Sequence, residues 1–278
     1  MLVVTGTPRS GTSMWMQILV AAGFEALGEP FPGDWRALLA AANPDGYWES
    51  QLLGGIYYRT NPHPLTGAFL FPEQTRFHAV KILVPGLIRS DLAYLDRVIA
   101  TVREWRSFAA SRARLRELYD SAPGLEPQDR LLRLELPPAL EWWVDNYGLI
   151  RDLATRRYAA HVCSYQSLLD DPEAAIAEVL TWLGRGDLPR ALAVVRPERQ
   201  TQAAAETPVD PQVDAADIEV FDELYDHIHR ARPLSAALLA KLNETDLRLR
   251  PRLLAHEARA RTEAAKALLE AQTQADPP

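Results

Sequence analysis

The sequence predicts an α/β protein, with a mostly parallel central sheet between two layers of helices and a helical C-terminal extension. Three observations carry that prediction. An apolar run, Leu2–Thr5, is closed by Gly6 and Pro8, and a helical pattern follows at Trp15, Ile18, Leu19 and Ala22. Further short apolar runs at Ala79–Leu83, Arg97–Val102 and Tyr158–Val162 alternate with segments of helix length. Strands that alternate with helices pair in parallel and are covered on both faces.

The remaining elements follow in order. Ser10 to Ser13 opens the first helix, and Trp35–Ala42 and Gln51–Tyr58 read as short helices around a loop, Asn43–Glu49. Pro85 and Gly86 punctuate the chain just beyond the second strand. Arg97–Val102 leads into a helix from about Trp105 to Tyr119, with a loop at Pro123–Asp129. Pro137–Thr155 is helical, its prolines suited to a first turn. Helices are expected around Ser167–Asp170 and Pro172–Leu183, then a polar linker at Ala203–Asp214. Ile218–Arg230 and Leu234–Leu269 close the chain as helices, the second with a break expected at Pro251. This divides the chain into a domain at 1–202 and an extension at 203–278. The weak apolar stripe of the last helix suits a solvated appendage or a homodimer contact better than core.

The composition sets limits on function. A chain of 278 residues, 47% hydrophobic and 24% charged, is long enough to bury a sizeable core. Its net charge of −7 argues against a general nucleic-acid binder, so a site for a polyanion must be built locally. The single cysteine, Cys163, lies in an apolar stretch and reads as packing. No apolar run approaches membrane-spanning length and no basic leader precedes the first strand, so a soluble, cytoplasmic protein is expected.

Gly6-Thr-Pro-Arg-Ser-Gly-Thr-Ser13 has the glycine spacing of a P-loop and stands between a strand and a helix, the context that loop requires. Its second glycine is followed by Thr12, where a P-loop NTPase carries the lysine that holds the β- and γ-phosphates. The strong cation lies inside the loop instead, at Arg9. The backbone amides of Arg9–Ser13 and the helix N-terminus can still cradle a terminal anion. The plainer reading is a glycine turn between strand and helix.

A second cationic feature follows the strand Arg97–Val102. Arginines at positions 103, 106, 112, 114 and 116 face Glu104 alone as far as Arg116, a basic island in an acidic chain. A guanidinium fork matches phosphate oxygens bidentately. Arg112, Arg114 and Arg116 read as a solvated helix face.

With these residues in place the sequence resembles the sulfotransferases that use 3′-phosphoadenosine 5′-phosphosulfate (PAPS), especially their bacterial small-molecule and protein-tyrosine branches, over about residues 2–184. The resemblance implies a P-loop-containing three-layer α/β/α fold. It implies that Pro8, Arg9, Ser10, Gly11, Thr12 and Ser13 bind the 5′-phosphosulfate, with Arg9 on the bridging and sulfuryl oxygens. Arg103 and Ser111 are implied at the 3′-phosphate, although Glu104-Trp105 stands where the family has Asp-Pro. Tyr165 is implied near the adenine, with a core tyrosine as the other reading. Lys81 matches a lysine that reaches the transferring group, with a surface lysine as the competing reading. Asn43-Pro-Asp-Gly-Tyr-Trp-Glu49 resembles a segment of the bacterial branch. Arg196 and Arg199 are candidates for a late clamp on the 3′-phosphate, although no Arg-Lys-Gly triplet is present.

The implied reaction moves a sulfuryl group from PAPS to a hydroxyl or amine of a small-molecule acceptor and releases the 3′,5′-diphosphate PAP, with no metal. The acceptor needs a base. Leu83 occupies the place of the cytosolic branch's histidine. Gly28-Glu29 matches the spacing of the protein-tyrosine branch's Gly-Glu, Glu49 is a second candidate and His78 a third. Arg9, Glu29, Glu49 and Lys81 therefore form the candidate catalytic set. The six histidines are scattered, with His227 and His229 on opposite sides of their helix, and no metal cluster is legible. Trp35, Tyr47, Trp48, Tyr57, Trp142 and Trp143 fall in segments around the family's acceptor pocket, which suggests a small apolar or aromatic alcohol. Two other readings stay open: a P-loop kinase or NTPase, and a nucleotide-binding module without a base.

Overall fold

The computed structural model describes residues 1–30, 48–121, 136–196 and 213–275. Five strands form one sheet, namely β1 Leu2–Gly6, β2 Glu25–Leu27, β3 His78–Lys81, β4 Arg97–Val102 and β5 Ala160–Ser164, in the order β2-β3-β1-β4-β5. Every neighbouring pair is parallel. Val3 stands opposite Val80 and Val98, and Thr101 opposite Gly6 and Cys163.

The helices are α1 Thr12–Ala21, α2 Pro72–Thr75, α3 Val84–Arg89, α4 Trp105–Ser121, α5 Pro138–Arg156, α6 Tyr165–Asp170, α7 Pro172–Leu183, α8 Leu188–Leu192, α9 Ala215–His229 and α10 Ala236–Ala275. Successive strand side chains point to opposite faces, so each buried strand feeds two cores. Val3, Val80, Val98, Ala100 and Val102 pack beneath α3, α4, α5, α9 and α10. Leu2, Val4, Ala79 and Ile99 pack beneath α1, α6, α7 and α8. This is the three-layer arrangement expected, and it explains why the central strands are apolar throughout rather than alternating. Among the described residues no helix is long and apolar enough to cross a membrane.

The structure corrects four local readings. Gln51–Tyr58 is a chain of tight turns, not a helix, closed by Leu53 N–H to the Ser50 carbonyl and Gly55 N–H to the Leu52 carbonyl. Gly55 lies so close to the Gly86 carbonyl that a β-carbon there would collide with it. Strand β5 begins two residues later than expected, at Ala160. Tyr158 is taken instead by the end of α5, where its hydroxyl donates to Asp152 Oδ2 at 2.9 Å. Helix α10 runs through Pro251 without a break, because Leu249 is fully buried on one side and Leu253 packs against the same cluster on the other. The first half of α10 is also core, since Leu238 and Leu242 are each only 1% exposed. From Pro251 onward its described side chains are exposed or half-buried. The expected segments Trp35–Ala42 and Pro123–Asp129 and most of the linker lie outside the described residues.

After β1 the chain builds β2 and β3 on one side, then crosses over to add β4 and β5 on the other. The crevice beyond the C-terminal ends of β1 and β4 is thus the topological switch point, where open parallel sheets bind ligands. For the packing itself, Leu242→Ala should cost about 2–5 kcal/mol. Leu254→Ala, at a side chain 57% exposed, should cost less than about 0.5 kcal/mol. Urea unfolding of both variants checks this, and equal costs would contradict the docking of α10.

Candidate active site

The loop after β1 is shaped by two left-handed residues, Arg9 at φ 71° and Gly11 at φ 94°. Ser10 is fully buried and locks the turn: its Oγ donates to the Thr7 carbonyl at 2.7 Å, and Thr101 Oγ1 donates to the Ser10 carbonyl at 2.9 Å. Gly11 then opens α1 with no side-chain cap. The first-turn amides of α1 therefore point into the crevice in the manner of an anion cradle.

Arg103, just past the end of β4, binds this loop. Its Nη1 donates to the Arg9 carbonyl at 3.1 Å and its Nε to Ser107 Oγ at 2.9 Å. Its guanidinium lies 5.1 Å over the Tyr165 ring, and Tyr165 in turn abuts Gly11. The Arg103 carbonyl accepts from Trp142 Nε1 at 2.6 Å. Arg9 Nε donates to Ser111 Oγ at 3.1 Å. Both arginines, Ser111 and Tyr165 thus meet in one place, and Tyr165 is half-buried rather than core. Glu104 supplies what the departure from Asp-Pro left open. Its two carboxylate oxygens accept from the amides of Arg106 and Ser107 and so cap α4.

Lys81 ends β3 and is 5% exposed, which excludes the surface-lysine reading. Its Nζ is 2.5 Å from Glu49 Oε1 and 3.4 Å from Ser13 Oγ. Burial pulls its pKa below the ordinary lysine value, Glu49 works the other way, and the charge of Arg9 lowers it further. Burial likewise lowers the Arg103 pKa, again with a contribution from Arg9. Arg9 thus stands between two buried cations, and the crevice is positive within an acidic chain.

Glu29 and Glu49 are joined through their backbones. Each amide donates to the other's carbonyl, at 3.0 and 2.9 Å. Gly28 is left-handed at φ 105°, and a β-carbon there would strike the Glu49 carbonyl. The side chains diverge: Glu29 is exposed, whereas Glu49 grips Lys81 and keeps its buried Oε2 without a hydrogen bond. His78 pairs with Glu25 at the start of β3, about 10 Å along the strand from Lys81.

Several expected residues lie elsewhere. Trp142 and Trp143 are fully buried core, with Trp143 stacked on Tyr147 and Phe221, so they line no pocket. Arg196 is exposed, and Trp35, Tyr47 and Arg199 lie outside the described residues. Conversely, Ser107, Thr101 and Ser164 were not singled out by sequence. Thr101 and Ser164 act through partners distant in the chain, the Ser10 carbonyl and His229, which no local spacing signals, whereas Ser107 holds Arg103 from four residues along the chain, a spacing that could have marked it.

Arg112 also departs from the solvated face expected of it. Its Nε donates to Glu141 Oε2 at 2.9 Å, with the two side chains 13% and 18% exposed. One turn along α5, Asp145 is 7% exposed. Burial and then Glu141 push its carboxyl up to about 7, with Arg112 opposing. The folded state thus keeps a proton that the unfolded chain gives up near pH 4, so Asp145 lowers stability as pH rises from there to about 7. The stability of Asp145→Asn relative to wild type should therefore increase by up to about 4 kcal/mol between pH 4 and pH 8. Denaturant unfolding at both pH values measures it, and a pH-independent difference would contradict the buried carboxylate.

No protein-family model matches the chain, and no curated protein does. Among solved structures it is similar to a sulfotransferase domain from the curacin biosynthetic pathway, with TM-score 0.41 and 14% identity over 89% of this chain and 96% of that one. It is also similar to a sulfotransferase domain from the Synechococcus PCC 7002 olefin synthase, with TM-score 0.37 and 17% identity over 88% of this chain and 92% of that one. At such values neither likeness bears on the activity of this chain.

Proposed function

We propose that this protein is a sulfotransferase that takes PAPS as donor and a small-molecule hydroxyl or amine as acceptor. The observation that carries the reading is the junction of Arg9 and Arg103, cations from two different strand ends held together through the Arg9 carbonyl, with Ser111 tied to the Arg9 side chain. Two anion sites side by side suit a nucleotide phosphorylated at both its 3′ and 5′ positions. A triphosphate would need one contiguous cradle and the lysine that Thr12 replaces.

In this reading the loop amides, Ser10 and Thr12 hold the 5′-phosphosulfate, and Arg103 holds the 3′-phosphate. Tyr165 supports the adenine end. Arg9 and Lys81 face the sulfuryl oxygens and the bridging oxygen. Glu49 accepts the acceptor's proton as the new O–S or N–S bond forms. The bond from sulfur to the bridging oxygen breaks, and its electron pair leaves on the 5′-phosphate of PAP, where Arg9 and Lys81 stabilise it. Such positioned charges are worth most where water is excluded. Glu49 is favoured over Glu29 because it already touches Lys81 and has a free buried oxygen.

A panel of small alcohols, phenols and amines, assayed for PAP release from PAPS, tests the reading directly. Acceptor-dependent release is expected, and none across the panel would count against it. Within an active pair, Arg9→Ala should lower kcat more than it weakens PAP binding, because charge on the bridging oxygen grows in the transition state. An unchanged kcat would make the loop a binding device alone. Glu49→Gln should slow turnover about a hundredfold to ten-thousandfold with PAP affinity near wild type, and Glu29→Gln should do little. The opposite pattern would return the base to Glu29.

A further inference from the structure

Helix α9, beyond the segment that carries the sequence resemblance, reaches the same crevice. Asp222, Tyr225 and His229 recur at helical spacing on one face of it. Asp222 fixes the helix to the residues after Arg103. Its carboxylate takes a two-pronged bond from Arg106, at 2.6 and 2.9 Å, and accepts from Trp105 Nε1 at 2.8 Å. One turn on, Tyr225 comes into hydrogen-bonding reach of Ser164 and within the field of Arg103. One turn further, His229 Nδ1 is 2.9 Å from Ser164 Oγ, and its ring stacks parallel to Tyr225 with centroids 5.8 Å apart. Ser164 ends β5 and is followed by Tyr165, the ring beneath Arg103. Both Tyr225 and His229 are half-buried, neither sealed into the core nor free in solvent.

We propose that α9 completes the nucleotide site, with His229 donating through Nε2 to the 3′-phosphate that Arg103 holds and Tyr225 backing the imidazole. The proposal rests on the PAPS reading above and assigns that ligand's second phosphate a partner the resemblance does not supply. A phosphate monoester carries about −1.5 to −2 at neutral pH, more than one guanidinium neutralises, while Arg9 is committed to the other end of the nucleotide. The Ser164–His229 contact occupies Nδ1, and Nε2 carries a proton to give either when Ser164 Oγ is the donor to Nδ1 or when the ring is an imidazolium beside the phosphate. The apolar faces of Tyr225 and His229 stiffen each other, so the donor is held in place before the ligand arrives.

Calorimetric titration of wild type, His229→Asn and His229→Gln with PAP and with adenosine 5′-monophosphate tests this, because the two ligands differ only in the 3′-phosphate. Asparagine keeps a group that reaches Ser164 and loses Nε2, whereas glutamine places its amide near Nε2. His229→Asn should lose about ten- to a hundredfold in PAP affinity, the scale of a hydrogen bond to a charged group, and less than about twofold for the monophosphate. His229→Gln should retain most of the preference for PAP. Equal losses for both ligands, with a lowered unfolding midpoint, would show a purely structural histidine and overturn the proposal. An unchanged preference in His229→Asn would overturn it too, and leave the sulfotransferase reading standing. A wild type without the preference would overturn both.

Discussion

The guanidinium of Arg103 stands where four segments meet. It holds the Arg9 carbonyl of the loop after β1, Ser107 of α4 and the ring of Tyr165 beyond β5, while its own carbonyl receives Trp142 of α5. A cation only 8% exposed is costly unless polar partners surround it. Here the described hydrogen-bond partners of its side chain, the Arg9 carbonyl and Ser107 Oγ, are neutral. The nearby carboxylate, Glu104, turns its oxygens to backbone amides and to Arg106. With Arg9 repelling both Arg103 and Lys81, the crevice holds unfavourable charge that a bound polyanion would offset. Stability given up locally in this way is a recurrent feature of binding sites. The order of the strands, the sharp loop and the docking of α9 all serve to keep that charge in one place.

Much of the fold was legible because its signals are local. Arg97–Val102 is recovered to the residue, since a β-branched run buried on both faces has no amphipathic alternative. Pro172–Leu183 is recovered too, with Asp171 as a capping side chain and Gly184 as a left-handed stop. Glu25–Leu27 was missed: three residues without a β-branched side chain form a strand only because β3 is there to pair with. The continuous α10 and its buried first half were misread for the same reason. Tertiary contacts at Leu238, Leu242 and Leu249 outweigh a weak stripe and one proline.

The site divides along the same line. Arg9, Arg103 and Lys81 stand at loop and strand ends and Ser111 on the helix that follows, positions picked out by local motifs and the family resemblance those motifs carry. The contrast between Glu29 and Glu49 was not readable, because it arises from a backbone bridge that joins the two segments and turns one carboxylate toward Lys81 and the other to solvent. Nor could spacing bring His229 to Ser164 across 65 positions. Trp142 and Trp143 show the converse hazard, since aromatics near a site in sequence were core in space.

In the proposed function two arginines from adjacent strand ends hold opposite ends of one doubly phosphorylated nucleotide. Titration calorimetry of the wild-type protein with PAP and, separately, with ATP and magnesium measures it most directly. PAP is expected to bind at least about tenfold more tightly than ATP, a difference of about 1.4 kcal/mol. Tighter binding of ATP would contradict it and return the loop to the P-loop NTPase reading.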